Sequence, residues 1–412
     1  MAGRGVTWWL SWMLALALGA CDGSSDRSPA APVTAAPPPV VPPAAGQAAP
    51  PAAGMAAMPP SSAGTAAPSQ PEQRDAASPA DAGGVADAAD TDASAPDSEG
   101  RTLVPHASWA CGMPEGVPAP EQGMLVFEIE AQLGEIHGVG QTPYGRRNLI
   151  EISGGTLQGA EISGELASGG LDWQLTLDNG VVEIEQVLLI RTDDGQSIYL
   201  RNCGVAAAPD RAVRIVPDFE APNAGAHAWL NAGRFAGTRE LDAAAGTLRM
   251  RVYDVSSAPA ASADAVRIEK PAGVPAQPWE CALAEGSRGA EVFRENVRIG
   301  GTVSVGASKR GTRTAIPITG GTTSGRIEAA VLAGGADFQL VDNGFVLDAR
   351  YTLRDADAEI VLVRNCGPAS ALVPRFEARA DGPYAWLNEG RWLSSSPGLA
   401  IGAVNITVYQ AD

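Results

Sequence analysis

Residues 145–175 read GRRNLIEISGGTLQGAEISGELASGGLDWQL, and residues 311–340 read GTRTAIPITGGTTSGRIEAAVLAGGADFQL. The later stretch is the earlier one, a single residue shorter. Gly154 and Gly155 answer to Gly320 and Gly321, and Asp172 answers to Asp337. A chain that repeats itself in this way is a tandem duplication.

Outward from these stretches the side chains alternate with the period of two expected of half-buried strands. Leu125, Phe127, Ile129, Ala131 and Leu133 fall on one face; Val126, Glu128, Glu130 and Gln132 fall on the other. Further strands are expected over 149–153, 156–167, 171–177, 181–191, 197–202 and 247–255, separated by Gly-Gly, Ser-Gly-Gly, Asp-Asn-Gly and Asp-Asp-Gly. Asp-Asn-Gly at 178–180 returns at 342–344, and both Asn and Gly accept the positive φ angles of tight hairpins. No long segment has helical periodicity. The expected fold is all-β, two tandem antiparallel β-barrel domains at 103–256 and 277–412 joined by a linker at 257–276, because closing each sheet removes its edges.

The 412 residues include 48 glycines and 32 prolines, too many for a chain that is compact throughout. Residues 21–102 are expected to form a disordered Ala/Pro/Asp-rich tether, with too few large apolar side chains to offset chain entropy and a reach of about 50 Å. The net charge of −18 argues against nucleic acid as a partner. Ahead of the tether, Arg4 and the apolar run Trp8 to Leu18 read as an export signal over 1–20, too short to span a bilayer. Leu18-Gly19-Ala20-Cys21 resembles the lipobox of bacterial lipoproteins, which implies lipidation of Cys21 and attachment to a membrane.

Apart from Cys21, each copy holds two cysteines at equivalent places, Cys111 and Cys203, then Cys281 and Cys366. Four cysteines allow three pairings, and the repeat symmetry selects Cys111 with Cys203 and Cys281 with Cys366. Each bridge closes a loop long enough to contribute about 4 to 5 kcal/mol and suits an oxidising envelope compartment. No CxxC is present, and His106, His137 and His227 lack ligand spacing, so no metal is expected.

The glycine-arginine start, ISGG or ITGG, GGLDWQL or GGADFQL, LDARYTLR at 347–354, and AWLN or YAWLN together resemble the domain of unknown function 3237 family, an uncharacterised protein family. The resemblance covers nearly everything after the tether. It implies an antiparallel β-barrel and brings no reaction.

Polar residues kept in both copies form the candidate site: Arg147 and Arg313, Asp172 and Asp337, Gln174 and Gln339, Arg191 and Arg354, with Trp229 and Trp386 as apolar anchors. Arg350, Tyr351 and Tyr384 join them from the second copy, where the first has Val187, Leu188 and His227. An Arg and an Asp in a barrel mouth can hold a carboxylate or polarise a carbonyl while Tyr384 or His227 moves a proton. The same residues fit a scaffold, with Arg–Asp pairs stapling strands and each Trp plugging a barrel end. No GxSxG, SxxK, HExxH, P-loop or GxGxxG motif occurs, and no cofactor is implied. The expected protein is an exported lipoprotein whose two barrels bind a small or apolar ligand or an envelope partner. The alternatives are an exported isomerase, cyclase or lyase, and an envelope-structural protein with filled barrels.

Overall fold

The computed structural model describes residues 100–207, 212–259 and 264–412. The signal at 1–20, Cys21 and the tether up to residue 99 lie outside the described residues.

The first copy is a closed antiparallel barrel of β2 to β9, with a short strand β1 (Leu103–Val104) ahead of it. Its strands are β2 (Met124–Thr142), β3 (Gly145–Gly159), β4 (Ser163–Thr176), β5 (Val182–Thr192), β6 (Ser197–Ala206), β7 (Val213–Glu220), β8 (Phe235–Asp242) and β9 (Thr247–Asp254). Phe127, Ile129 and Ala131 point into its core as the alternation predicts. Leu125 is exposed instead, because the β2–β9 register slips between Leu125 and Phe127.

Gly-Gly and Ser-Gly-Gly do not end strands as expected. They are bulges inside β3, between Ile152 and Thr156, and inside β4, between Ala167 and Leu171. Gly155 sits at φ +145° with its α-carbon against the carbonyl of Glu130, and Gly321 repeats this at φ +144° against Asn296, so a side chain fits at neither. The Asp-Asn-Gly hairpin is also built differently from expectation. Gly180 alone takes positive φ, while the Asn179 carboxamide accepts the Val181 amide at 3.3 Å.

After β10 (Val266–Arg267), the second copy follows the same path with three interruptions. The counterpart of β2 is split into β11 (Arg288–Ile299) and β12 (Val303–Ser308), followed by β13 (Gly311–Gly325). The counterpart of β4 is split into β14 (Ala329–Val331) and β15 (Ala336–Val341). Then come β16 (Phe345–Asp355), β17 (Ile360–Pro368) and β18 (Val373–Ala378). The counterpart of β8 is split into β19 (Trp392–Ser394) and β20 (Gly398–Ala400), and β21 (Ala403–Ala411) ends the sheet. The sheet is barrel-like, its edges β18 and β19 meeting at the Ser394 amide, which donates to the Leu372 carbonyl at 3.1 Å.

Cys111 pairs with Cys203 and Cys281 with Cys366, across sequence separations of 92 and 85. Within the expected linker at 257–276, the described part from residue 264 packs on the first copy: β10 pairs in parallel with β1, and Val266 and Ile268 pack with Trp109, Val117 and Leu177 over one end of the first barrel. Burying those apolar side chains holds the segment down.

The barrels face each other with reciprocal contacts. Arg147 Nε lies 2.9 Å from Glu377, and Arg313 Nη2 lies 2.6 Å from Glu220. The Ala380 amide donates to Gln141 at 2.7 Å, and Asn223 to Ala307 at 2.8 Å. Tyr199 stacks edge-on against Phe338 at 5.6 Å, and Trp173 packs beside Leu362. Residue i meeting j while the equivalent j meets i is the signature of an isologous two-fold interface. Here both halves belong to one chain.

Candidate functional site

Strand alternation in the second barrel turns Ile318, Asp337, Gln339, Ala349 and Tyr351 inward, where they line a cavity of about 400 Å³. Most of the remaining wall is apolar, with Val297, Leu347, Val404 and Ile406. Gly300, Gly301, Leu399 and Gly402 frame its mouth, and Ile401 stands fully exposed beside them.

Asp337 is the chemical focus of this lumen. Gln339 Nε2 donates to Oδ2 at 2.8 Å, while Oδ1 is shut off from solvent and has no partner among the described residues. Burial, reinforced by the Asp348 carboxylate, pushes this carboxyl up to about 6 against the pull of Gln339 and of the Asp348 backbone. Asp337 is thus a carboxyl that keeps its proton below about pH 6 on the wall of a mostly apolar cavity. Nearby, the Tyr351 hydroxyl donates to Glu295 Oε2 at 2.6 Å, and Glu295 Oε1 is buried without a partner among the described residues. Burial outweighs that bond and pushes Glu295 up to about 7.

The first barrel uses the same register differently. Arg239, on β8, places Nε and Nη2 each 3.0 Å from Asp172 Oδ2. Gln186 donates to the same oxygen at 2.9 Å and accepts from Asn202 at 2.7 Å. Burial raises the Asp172 pKa, and the guanidinium and the amide pull back against it. The strand pairings make Ala349 the counterpart of Gln186, and Glu295 and Tyr351 the counterparts of Ile129 and Leu188. Arg239 has no counterpart, because Ser395, Ser396 and Pro397 interrupt the matching strand.

The candidate residues are therefore divided among several places. Asp337, Gln339 and Tyr351 share the second lumen, while Asp172 and Gln174 lie with Arg239 in the first. Arg147 and Arg313 lie between the barrels, Arg313 also stacking over Tyr199 at 4.6 Å. Arg350 is there too, bound to Glu185 and Asp348 at 2.8 Å each. Against burial, Arg350, Arg201 and Arg364 hold Glu185 down at about 2, and Arg350 and Arg364 hold Asp348 lower still. Arg354 reaches Glu135 of the other barrel at 2.8 Å, and Arg191 is exposed at the end of β5.

His227 and Tyr384 occupy equivalent positions before short 3₁₀ turns, His227 3.3 Å from Asp194 and Tyr384 donating to Asp355 at 2.8 Å. Trp229 packs on Phe235, and Trp386 lies under Arg326. Neither Tyr384 nor His227 lines the lumen cavity. Glu295 and Arg239 were not among the residues singled out from sequence. Glu295 had a readable signal: it falls between Phe293 and Val297 on the apolar face of its strand.

A family model described as Protein of unknown function (DUF3237) matches residues 123–256 and 289–371, more than half of the chain. A UPF0311 protein of Rhodopseudomonas palustris is 35% identical over 89 residues, which are 22% of this chain and 58% of that protein. Another, of Clostridium acetobutylicum, is 35% identical over 102 residues, 24% of this chain and 65% of that protein. The matches thus span less than two thirds of these relatives. Among solved structures, a conserved protein of unknown function from Rhodopseudomonas palustris is 29% identical, with a TM-score of 0.29, covering 32% of this chain and 95% of that one. A β-barrel-like protein from Acinetobacter baumannii AYE is 24% identical, with a TM-score of 0.29, 32% of this chain and 94% of that one being covered.

Proposed function

The chain belongs to the DUF3237 family of proteins of unknown function, and on that premise we propose that its second barrel binds a small, largely apolar molecule carrying one hydrogen-bond acceptor. The observation behind this reading is the pairing of a mostly apolar cavity of about 400 Å³ with a single carboxyl on its wall held near pKa 6. The apolar rim at Leu399 and Ile401 suits entry of such a molecule. In this reading the first barrel is a filled copy that braces the second.

N-phenyl-1-naphthylamine, a neutral apolar fluorophore, tests it. The wild-type protein is expected to bind the dye saturably with a rise in emission, and Ala349→Trp, which fills the lumen, to abolish binding. Unchanged binding by Ala349→Trp overturns the proposal.

A second reading is favoured by the same carboxyl. A group near pKa 6 in a mostly apolar lumen can pass a proton to and from a bound substrate at neutral pH, as isomerisation, cyclisation or elimination requires. Loss of turnover in Asp337→Asn without loss of melting temperature supports it, and full turnover by that variant refutes it. We also propose export and lipid anchoring at Cys21, a reading supported by the Leu-Gly-Ala-Cys motif and by two disulfides, which persist in oxidising compartments. Labelled palmitate is expected to enter the wild type and not Cys21→Ala.

A further inference from the structure

The two edges of the inter-barrel interface are related by the pseudo-two-fold yet chemically opposite. At one edge Asp218 of β7 binds Lys309 at 2.7 Å and Arg310 at 2.8 Å across the interface, so the charges close on each other. At the other edge the equivalent positions are Arg375 of β18 facing Pro143 and Tyr144. The equivalence follows from strand register, because Asp218 pairs with Arg201 as Arg375 pairs with Arg364. The acid has become a cation, and its two cationic partners have become a proline and a tyrosine.

Arg375 has lost its partner in this exchange. Its neighbour Arg364 is fully engaged by Asp348 at 2.8 and 2.9 Å and by the carbonyls of Pro278 and Trp279. No described carboxylate lies within ion-pairing distance of Arg375, and burial lowers its pKa, with Tyr144 opposing and Arg364 adding to the fall. Like charges directly opposite on adjacent strands destabilise a sheet unless something neutralises them. This cation lines a cleft of about 630 Å³ between the barrels, walled by Tyr144 and by Trp279, with Arg391 exposed on the rim. Glu285, on the same rim, is exposed and pairs with neither arginine. The segment carrying Trp279 is fixed in place, since Gln277 accepts from Arg147 at 2.9 Å and Cys281 is bonded to Cys366.

We propose that this cleft is a second binding site, for a small organic carboxylate with an apolar body, its charge on Arg375 and its body against Tyr144 and Trp279. It is separate from the lumen and independent of what the lumen binds. A guanidinium supplies the paired donors that a carboxylate accepts, and the aromatic wall favours a flat apolar body over a hydrated inorganic ion.

Isothermal titration with sodium benzoate at low ionic strength, and with inorganic phosphate in parallel, tests the site on the full-length protein. Benzoate is expected to bind saturably and more tightly than phosphate, with affinity falling about tenfold or more in Arg375→Gln and unaltered in the lumen variant Ala349→Trp. Arg391→Gln, an exposed change that leaves the fold alone, is expected to weaken benzoate several-fold through lost long-range attraction. The proposal is overturned if benzoate shows no saturable binding to the wild type, if phosphate binds as tightly as benzoate, or if Arg375→Gln binds benzoate like the wild type.

Discussion

In the first barrel a buried aspartate meets a guanidinium 3.0 Å away; in the second, the aspartate at the same register meets only an amide at 2.8 Å. The difference begins in the backbone. β8 runs unbroken from Phe235 to Asp242 and carries Arg239 inward, whereas Pro397 cannot donate to a ladder and its strand path breaks into β19 and β20. With the arginine gone and Gln186 replaced by Ala349, the second lumen keeps space. A buried carboxyl is tolerated either by pairing it or by protonating it, and the duplication has tried both on one scaffold.

The largest expected effect probes that pairing. Arg239→Met leaves Asp172 buried beside amides alone and should destabilise the protein by about 3–5 kcal/mol in urea unfolding at pH 7. Adding Asp172→Asn should restore most of the loss, since the pair is then removed together. Asp337→Asn should lower stability by less than about 1 kcal/mol at any pH above neutral, because no cation is stranded. Equal losses for Arg239→Met and Asp337→Asn would mean that the two aspartates are held alike.

Next come the reciprocal clasps. Arg313 makes two bonds to Glu220, which is 1% exposed, while Arg147 makes one to Glu377, which is 14% exposed. Arg313→Met should therefore cost about 2–4 kcal/mol and Arg147→Met about 1–2 kcal/mol, measured by the same unfolding. The reverse order would show that the interface is held chiefly at its open edge.

These clasps also mark where sequence reading stops. Duplication, strands and disulfides were legible because each is written in local pattern: period two, glycine clusters, matched cysteines. Which face of a strand meets the lumen and which meets the other barrel was not, since Arg147 and Arg313 alternate correctly for a solvent face that the partner barrel happens to cover. The run Val187-Leu188-Leu189-Ile190 did contain the hint. Leu188 and Ile190 belong to the lumen core, Val187 and Leu189 to the interface, and a strand apolar on both faces is covered on both. Asp337 was found by repetition, whereas its isolation from any cation depended on a strand break that no motif announces.

Acidity gives the third and smaller effect. The folded state holds protons on Asp337 up to about pH 6 and on Glu295 up to about pH 7, against 3.8 and 4.5 for the free groups. A carboxyl whose pKa is raised by folding contributes its full stability below the pKa of the unfolded chain and loses it as pH rises through the folded pKa. Stability from these two groups is thus present near pH 4 and lost as pH climbs through 6 and 7. Because Asp337 fronts the cavity, the combined loss between pH 5 and 8 should be about 1–3 kcal/mol. Thermal melts of Asp337→Asn/Glu295→Gln should be flat over that range. A wild-type melting temperature that rises from pH 5 to 8 would place both carboxylates in water.

The smallest contrast lies in one turn. Between β5 and β6 the chain passes through Gly195 at φ +86°, and the matching position between β16 and β17 is Ala358 at φ +64°. Among the described residues Ala358 is the one non-glycine with positive φ, and a β-carbon in that region costs roughly 1 kcal/mol. The closing backbone hydrogen bond is equivalent in both turns, Gly195 to Thr192 at 2.9 Å and Ala358 to Asp355 at 3.2 Å, so the same backbone bend carries a β-carbon in one copy and none in the other. Glycine's extra freedom in the unfolded chain offsets part of the relief, leaving Ala358→Gly a gain of about 0.5 kcal/mol, while Gly195→Ala should lose about 1 kcal/mol. Opposite signs for the two substitutions in matched melts are the expected result. Equal signs would show that the second barrel holds this turn by tension from Tyr384, whose hydroxyl ties Asp355 at 2.8 Å, and the Tyr384→Phe variant would then remove the difference.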